Sequence, residues 1–166
     1  MNRSDKLDWA LAQLHRSQVR LTPVREKVLA FLARTTLPAT LNDLSASGDL
    51  AGQFDDTTVY RTLVLLLELE IVRQVQLQGR QAHFLLNAPG ECSTFLVCRC
   101  CGAMAPVPHP HALSELEAQV GLEHGFAALT HDLVLYGNCP TCHEHTRFCN
   151  KPAKLIPGLR LHGRSN

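Results

Sequence analysis

Two Cys-x-x-Cys pairs constrain the fold of this chain more than any other feature. The first pair is Cys98 and Cys101, the second is Cys139 and Cys142, and the 37 residues from 102 to 138 separate them. When two such pairs lie on tight turns, their four thiolates can hold one Zn²⁺ in a tetrahedron. One pair alone would equally suit a redox dithiol, but two pairs in a small domain favour a structural zinc that contributes directly to folding.

The three other cysteines lie outside the two Cys-x-x-Cys pairs. Cys100 lies between two predicted ligands, so its side chain has to point away from the metal, and we expect a free thiol there. Cys92 lies beside a predicted linker, and Cys149 follows the second pair. The chain has seven cysteines, no apolar run near the ~20 residues of a membrane helix and no signal-peptide core. We therefore expect a cytoplasmic protein, in which metal or redox chemistry is commoner than disulfides.

The first half of the chain is predicted to be a winged helix-turn-helix domain. Apolar residues at helical spacing indicate helices within residues 4–16, 20–35, 38–48 and 57–70, and two alternating stretches indicate a hairpin within 71–86. The last helix is apolar nearly all round at its C-terminal end and polar at its start. In winged-helix proteins the last helix enters the major groove of DNA with its N-terminal residues.

Four polar side chains at the start of that helix are candidate DNA contacts. They are Thr57, Thr58, Tyr60 and Arg61, and side chains of these types reach base edges and phosphates. Between residues 16 and 34, five basic residues and one acid form a basic patch that could contact phosphate. Alternatively, all these residues are the solvated surface of a small helical domain. The pattern alone leaves both interpretations open.

The second half is predicted to be a separate α/β domain, which makes the whole chain α+β. We assign the winged-helix domain to residues 1–86, a linker to 87–91, the second domain to 92–150 and a flexible basic tail to 151–166. The elements expected in the second domain are strands near 94–98 and 103–107, a helix near 112–124 that ends at Gly125, a strand within 126–137 and a short helix or turn at the second cysteine pair.

Five pieces of the sequence together resemble the ferric uptake regulator (Fur) family of dimeric, metal-responsive bacterial repressors. In the family's order, over about residues 8–148, they are VRLTPVREKVL (19–29), TTVYRTL (57–63), CRCCG (98–102), HGF (124–126) and LTHDLVLYGNCPTC (129–142). Any one piece is unspecific, but the combination is highly specific.

The resemblance implies a DNA-binding domain followed by a dimerisation domain, with a structural zinc on the four cysteines of the two pairs. It places Tyr60 and Arg61 on the family's DNA-contacting residues, and Arg20 on a basic residue that reaches into the minor groove. Residues 133–136 would pair across the axis of a homodimer. The expected partner is double-stranded operator DNA with a pseudo-palindromic, AT-rich sequence. Neither a membrane nor a small-molecule substrate is expected.

The sequence departs from the family where the regulatory metal is bound. The family's two sensing histidines before the first cysteine pair fall on Ser93 and Phe95, the histidine of the DNA-binding domain falls on Pro38, and a carboxylate falls on Leu85. These replacements remove the usual iron or manganese sensor. For the same reason, peroxide sensing is not expected.

Five other residues are candidates for a regulatory metal site: His83, Cys92, His109, His111 and His131. His131 matches a secondary-site histidine of the family. The prolines around His109 and His111 favour an extended segment, in which alternate residues point the same way. Nitrogen and sulfur ligands without carboxylates favour zinc over iron(II) or manganese. We therefore expect a second, regulatory Zn²⁺ and a role like that of a zinc uptake regulator, although each histidine could equally be an ordinary surface residue.

Two other functions stay open on the sequence. The chain could be a metal-independent repressor that kept only the structural zinc. It could also be a redox switch, in which oxidation of Cys92, Cys100 or Cys149 releases zinc or DNA. An enzyme is not expected, because the sequence has no Ser/His/Asp set, no phosphate-binding glycine loop and no cluster of carboxylates.

Overall fold

The chain consists of two compact units, Met1–Glu91 and Cys92–Asn166. The structure is a computed structural model, and it describes residues 2–77, 81–89, 94–107, 111–127, 129 and 132–143. Within these residues no helix is long and apolar enough to span a membrane. Helices and sheets occur in both units, which confirms the predicted α+β class.

The first unit combines helices with a small antiparallel sheet. Its elements are α1 (Arg3–Arg16), α2 (Pro23–Arg34), β1 (Ala39–Thr40), α3 (Leu41–Ser45), α4 (Asp56–Glu68), β2 (Val72–Val75) and β3 (His83–Leu86). The strands lie in the order β1-β3-β2. This is the predicted winged helix-turn-helix, with α3 and α4 as the helix pair and β2 and β3 as the wing.

Side-chain caps fix where α3 and α4 begin. Thr40 and Asp43 form a capping box, in which the Asp43 N–H donates to Thr40 Oγ1 (3.2 Å) and the Thr40 N–H donates to Asp43 Oδ2 (2.8 Å). At α4, the Thr58 N–H donates to Asp55 Oδ1 at 2.8 Å. The cap makes Asp56 the first residue of α4, one residue before the predicted start.

The apolar faces of α2 and α4 form the core of the first unit. The buried side chains on these faces include Val28, Leu29 and Leu32 of α2, and Val59, Leu63 and Leu66 of α4. Leu14 of α1 and Phe84 of β3 belong to the same core. Since α4 buries this one face, its opposite face remains in solvent.

The first residues of the predicted linker pack against the first unit. The Asn87 N–H donates to Ile71 O at 2.9 Å, and Asn87 Nδ2 donates to Glu70 O at 3.0 Å. Ala88 is buried in the same core as α2 and α4. These contacts hold the chain to the first unit as it leaves β3.

The second unit is built on a sheet in which two parallel strands end side by side. Its elements are β4 (Thr94–Cys98), β5 (Met104–Pro106), α5 (His111–His124), β6 (Leu133–Gly137) and α6 (Pro140–His143). The sheet order is β5-β4-β6, with β5 antiparallel and β6 parallel to β4. The parallel register pairs Cys98 with Gly137. Both strands therefore run into their Cys-x-x-Cys turns at the same edge of the sheet.

Helix α5 ends at the predicted glycine. Gly125 has a φ of +69°, in the left-handed region that favours glycine, and the Phe126 N–H donates to Gly121 O at 3.0 Å. A Cβ at Gly121 would lie 2.9 Å from Phe126 O. The tight end of α5 therefore requires glycine at both positions.

Candidate metal centre and DNA-binding face

Four thiols from the two Cys-x-x-Cys turns meet at the edge of the second sheet. The Sγ atoms of Cys98, Cys101, Cys139 and Cys142 all lie within 4.8 Å of one another, and all four are free thiols. The Sγ atoms of Cys101 and Cys139 are 3.7 Å apart. A tetrahedral zinc with Zn–S bonds of about 2.3 Å needs sulfurs about 3.8 Å apart, so the centre fits zinc with little movement.

Each turn is closed by its own backbone. In the first turn, the Gly102 N–H donates to Cys98 O (2.9 Å), the Cys98 N–H donates to Ala103 O (2.8 Å), and Gly102 has a φ of +70°. In the second turn, the Cys142 N–H donates to Cys139 O at 2.9 Å. These bonds are made within each turn, so each pair of cysteines is arranged by local sequence.

Three contacts join the first turn to β6 and the second turn. The Arg99 N–H donates to Gly137 O at 2.8 Å, and the Arg99 guanidinium lies 5.9 Å from the centre of the Tyr136 ring. The Cys139 N–H also donates to Cys98 Sγ at 3.3 Å. Sequence reasoning did not identify Arg99 as part of the centre, since its partner lies on a strand far along the chain.

Cys98 and Cys142 differ in how readily they lose a proton. Burial raises the pKa of Cys98, but the backbone N–H groups of Cys101 and Cys139 donate toward its sulfur, and the net result is a pKa of about 6. Burial, together with the neighbouring thiols, raises the pKa of Cys142 to about 12. The thiol of Cys98 is therefore more acidic than that of Cys142, and the charge of a cation bound by the four sulfurs would favour the thiolate form of each ligand.

Cys100 behaves differently from the cysteines on either side of it. It is half-buried against the four-thiol cluster and is bonded in a disulfide, so the expectation of a free thiol at this position is wrong. Cys98 and Cys101 occupy the metal-facing positions of the turn, which leaves the intervening sulfur to another partner. The two remaining cysteines of the sequence, Cys92 and Cys149, lie outside the described residues.

Of the five candidates for a regulatory metal site, the structure describes the side chain of His83 alone. His83 is half-buried on β3, and its Nδ1 lies 3.0 Å from Gln81 O. His111 is the first residue of α5, with a side chain outside the described part, and Cys92, His109 and His131 are likewise outside it. Among the described residues, the four cysteines are the one group of metal-ligating side chains that comes together.

The first turns of α4 present a polar face to solvent. Thr57, Tyr60 and Arg61 are exposed, with 51% of the Tyr60 surface accessible. Thr58, by contrast, is half-buried, and its N–H and Oγ1 both donate to the Asp55 carboxylate at 2.8 Å. Three of the four side chains predicted to contact DNA at this helix therefore lie on one open surface, and the fourth takes part in the cap.

Asp56 belongs to the same open surface, although it was not among the predicted contacts. It is exposed and lies four residues before Tyr60, so the two side chains share a helix face. The i, i+4 spacing is visible in the sequence and would have identified it. The described surface of α4 thus carries a carboxylate, a hydroxyl, a phenol and a guanidinium.

The basic patch predicted between residues 16 and 34 is partly occupied by contacts within the unit. Arg34 forms an ion pair with Asp49, and its guanidinium lies 5.2 Å from the centre of the Phe31 ring. Lys27 donates a hydrogen bond to Gln53. Arg20, the predicted minor-groove residue, keeps an exposed side chain. These contacts favour Arg20 over Lys27 and Arg34 as a residue able to reach DNA.

A winged helix-turn-helix joined to an α/β unit with a four-thiol centre defines a class of metal-binding transcription regulators. The model of the Ferric uptake regulator family matches residues 16–136, well over half of the chain. The chain belongs to this family, whose members are metal-responsive transcriptional regulators rather than enzymes. The family predicted from the sequence is thereby confirmed.

Individual relatives agree with this assignment. The ferric uptake regulation protein of Bacillus subtilis (strain 168) is 29% identical over 146 residues, which cover 83% of this chain and 95% of that protein. The solved structure of the Helicobacter pylori ferric uptake regulator is similar with a TM-score of 0.65 at 16% identity, covering 86% of this chain and 95% of that one. A zinc uptake regulator complexed with zinc and DNA gives a TM-score of 0.56 at 24% identity, covering 88% and 98%. These structures confirm the fold.

Proposed function

We propose that this chain is a zinc-responsive repressor of the zinc uptake regulator type. It would bind operator DNA as a homodimer, with zinc as corepressor, and control genes for metal uptake. The observation that carries the zinc assignment is the donor chemistry: the described centre offers four sulfurs, and His83 offers an oriented imidazole nitrogen. Sulfur and imidazole ligands select zinc over iron(II) or manganese.

The four-thiol centre would hold a structural zinc. Its ligands, Cys98, Cys101, Cys139 and Cys142, fill all four positions of a tetrahedron and leave none open, as in structural rather than catalytic zinc sites. Zinc bound there would tie β4 to β6 and α6 and stabilise the second unit.

His83 is the described residue best suited to a second, regulatory zinc. Its Nδ1–H donates to Gln81 O, which fixes the tautomer and leaves the Nε2 lone pair as the ligand. Metal-binding histidines usually donate their other ring N–H to an oxygen in this way. The remaining ligands would come from among Cys92, His109, His111 and His131, which offer sulfur or nitrogen.

The exposed face of α4 would read operator DNA. The side chains of Tyr60 and Arg61 make no hydrogen bond or ion pair with the described residues, so their polar groups are available to bases and phosphates. Arg20 would reach the adjacent minor groove, and Thr57 would bond to DNA at the helix start. Thr58 would act mainly by capping the helix through Asp55.

A second copy of the chain would cover apolar surface on the second unit. Leu122 of α5 is 87% exposed, Phe126 just after α5 is 68% exposed, and Leu135 on β6 is 44% exposed. β6 is also at one end of the described sheet, with one edge unpaired. Pairing of β6 with its copy would satisfy this edge and give the homodimer two α4 helices, one for each half-site of a palindromic operator.

The regulatory zinc would act by shifting a conformational equilibrium. If zinc binds the DNA-competent form of the dimer more tightly than other forms, it raises the fraction of that form and hence the apparent affinity for DNA. DNA would increase zinc affinity by the same factor.

The deciding experiment measures zinc content and DNA binding on one sample. We would count zinc per chain, remove the labile metal with a mild chelator and titrate promoter DNA with and without added Zn²⁺. His83→Ala should lose the labile zinc and the zinc-dependent gain in affinity, whereas Gln74→Ala, an exposed change on the neighbouring strand β2, should keep both. Unchanged DNA binding after the labile zinc is removed would rule out zinc sensing and leave a metal-independent repressor.

The disulfide at Cys100 favours a second candidate function, a thiol-based redox switch. In this function Cys100 and a second cysteine lose two protons and two electrons to hydrogen peroxide, which is reduced to two molecules of water as the S–S bond forms. Because Cys100 is bonded directly to the residue next to it in the chain, the metal ligand Cys101, the disulfide would alter the first turn and with it zinc retention.

Peroxide treatment separates the two functions. A redox switch predicts loss of DNA affinity with peroxide, recovery with dithiothreitol and no response in Cys100→Ser. Cys92→Ser and Cys149→Ser, made separately, would identify the second thiol. DNA affinity that follows zinc and ignores peroxide would exclude the switch.

A further inference from the structure

Two consecutive aspartates at the start of α4 have different environments. Asp55 accepts hydrogen bonds from the Thr58 N–H and the Thr58 hydroxyl, both at 2.8 Å, and these bonds lower the pKa of its carboxyl. The side chain of Asp56 is exposed and makes no hydrogen bond or ion pair with any residue that the structure describes. The carboxylate of Asp55 is therefore required by the helix, and that of Asp56 is not.

The free carboxylate lies within the surface proposed to read DNA. Asp56 and Tyr60 are four residues apart, as are Thr57 and Arg61, so the four side chains form one contiguous exposed face. Val59 and Leu63, on the other side of the helix, are fully buried. If this face enters a major groove, Asp56 enters with it.

A carboxylate in that position cannot act as a general DNA contact. The phosphates repel it, so it lowers affinity for DNA of any sequence unless a base donates a hydrogen bond to it. In the major groove, the donors are the amino groups of cytosine N4 and adenine N6. Guanine N7 and O6 and thymine O4 are acceptors, which would face the carboxylate oxygens.

We propose that Asp56 is a specificity-determining residue that accepts a hydrogen bond from the amino group of a cytosine at one position of each half-site. It excludes guanine and thymine from that position and weakens binding to DNA that lacks the cytosine. The inference rests on the proposed function, because it requires α4 to be the reading helix. It adds a discriminating carboxylate to the attractive contacts of Tyr60 and Arg61.

Selection from a pool of duplexes with a randomised central segment tests the proposal. The full-length, zinc-loaded wild-type chain should enrich cytosine at one position per half-site. Asp56→Ala should reduce the discrimination at that position by roughly 5- to 150-fold, the range expected for one good side-chain–base pair, and should bind unselected DNA more tightly. Asp56→Asn should change the preferred base from cytosine to adenine, since an amide pairs with adenine N6 and N7.

Asp8→Ala is the matched control. Asp8 is an exposed residue of α1, and its replacement changes the net charge by the same amount as Asp56→Ala. This variant should keep the wild-type base preference at every position. If it loses the preference as Asp56→Ala does, net charge explains the effect and the proposal fails.

The failure of this inference is distinguishable from failure of the proposed function. A wild-type chain that enriches no sequence, with or without zinc, would contradict DNA reading by α4. A wild-type chain that enriches an operator whose base preferences are unchanged in Asp56→Ala and Asp56→Asn would overturn the role of Asp56 alone. Both variants should fold, because the Asp56 side chain is exposed and the cap is made by Asp55.

Discussion

The four-cysteine centre and the exposed face of α4 use their side chains in opposite ways. In the centre, the ligands lie within 4.8 Å of one another, and backbone bonds hold both turns. On α4, Tyr60 and Arg61 have no partner among the described residues. A metal centre can thus be recognised by contacts that the chain makes with itself. A binding face is recognised by polar groups that the chain leaves unused.

Replacing one ligand of the centre should have the largest effect on the molecule. Cys142→Ser removes a buried sulfur, so we expect loss of the structural zinc and unfolding of the second unit, at a cost on the order of 10 kcal/mol of metal-coupled folding energy. Zinc analysis after gel filtration, with hydrogen exchange of β4 and β6, measures both. Cys100→Ser is the control and should keep its zinc. Full zinc retention by Cys142→Ser would show that the four thiols do not act as one site.

The second prediction separates the buried face of α4 from its exposed face. Leu63 of α4 is fully buried in the core of the first unit, and Leu63→Ala should lower the free energy of unfolding by about 2–5 kcal/mol. Denaturant unfolding of the variant and the wild type measures the difference. The folded fraction of the variant should still bind DNA with wild-type affinity. Weakened binding by fully folded Leu63→Ala would mean that the two faces of α4 are not independent.

The third prediction tests the exposed face itself. Arg61→Ala should change the free energy of unfolding by no more than about 0.5 kcal/mol, but should weaken DNA binding by about 1–3 kcal/mol if Arg61 pairs with a base. A phosphate contact would instead reduce the slope of log affinity against log salt by about one. Arg3→Ala, on the exposed surface of α1, makes the same charge change and should alter neither the DNA affinity nor its salt dependence. Equal effects of the two variants on DNA binding would show that α4 is not the DNA-reading helix.

The predictability of the two regions follows from the range of their interactions. The metal centre could be predicted because each Cys-x-x-Cys turn is local and sulfur chemistry is specific. The capping box of Thr40 and Asp43 was predictable for the same reason, since its partners are three residues apart. The winged helix followed from the order of helical and alternating segments, and the family from pieces that keep their order along the chain.

What the sequence left open depends on long-range or competing contacts. Two residues of the basic patch are engaged within the first unit: Arg34 forms an ion pair with Asp49, and Lys27 donates a hydrogen bond to Gln53. Both interactions form only when the chain has folded. The disulfide at Cys100 could not be assigned, because three cysteines had no spacing rule to choose among them. The role of Thr58 was missed because a helix cap and a base contact compete for the same hydroxyl group.

The smallest predicted effect sharpens the comparison within a single helix turn. The hydrogen bonds that Asp55 accepts from Thr58 lower the pKa of its carboxyl from the ordinary value of 3.8. The carboxyl is therefore protonated less readily in the folded chain than in the unfolded chain. The stabilisation by the cap is therefore complete above pH 3.8 and is lost as the pH falls through the lowered pKa of the folded state.

Asp55→Ala should lower the midpoint of denaturant unfolding at neutral pH, and the difference in midpoint between the variant and wild type should become smaller as the solution is acidified. Asp56→Ala should show neither effect, because its carboxylate makes no bond in the fold. If both variants shifted the midpoint equally, the two aspartates would act only through their charge near the helix N-terminus, and the distinction between a carboxylate held by the fold and one left for a partner would not stand.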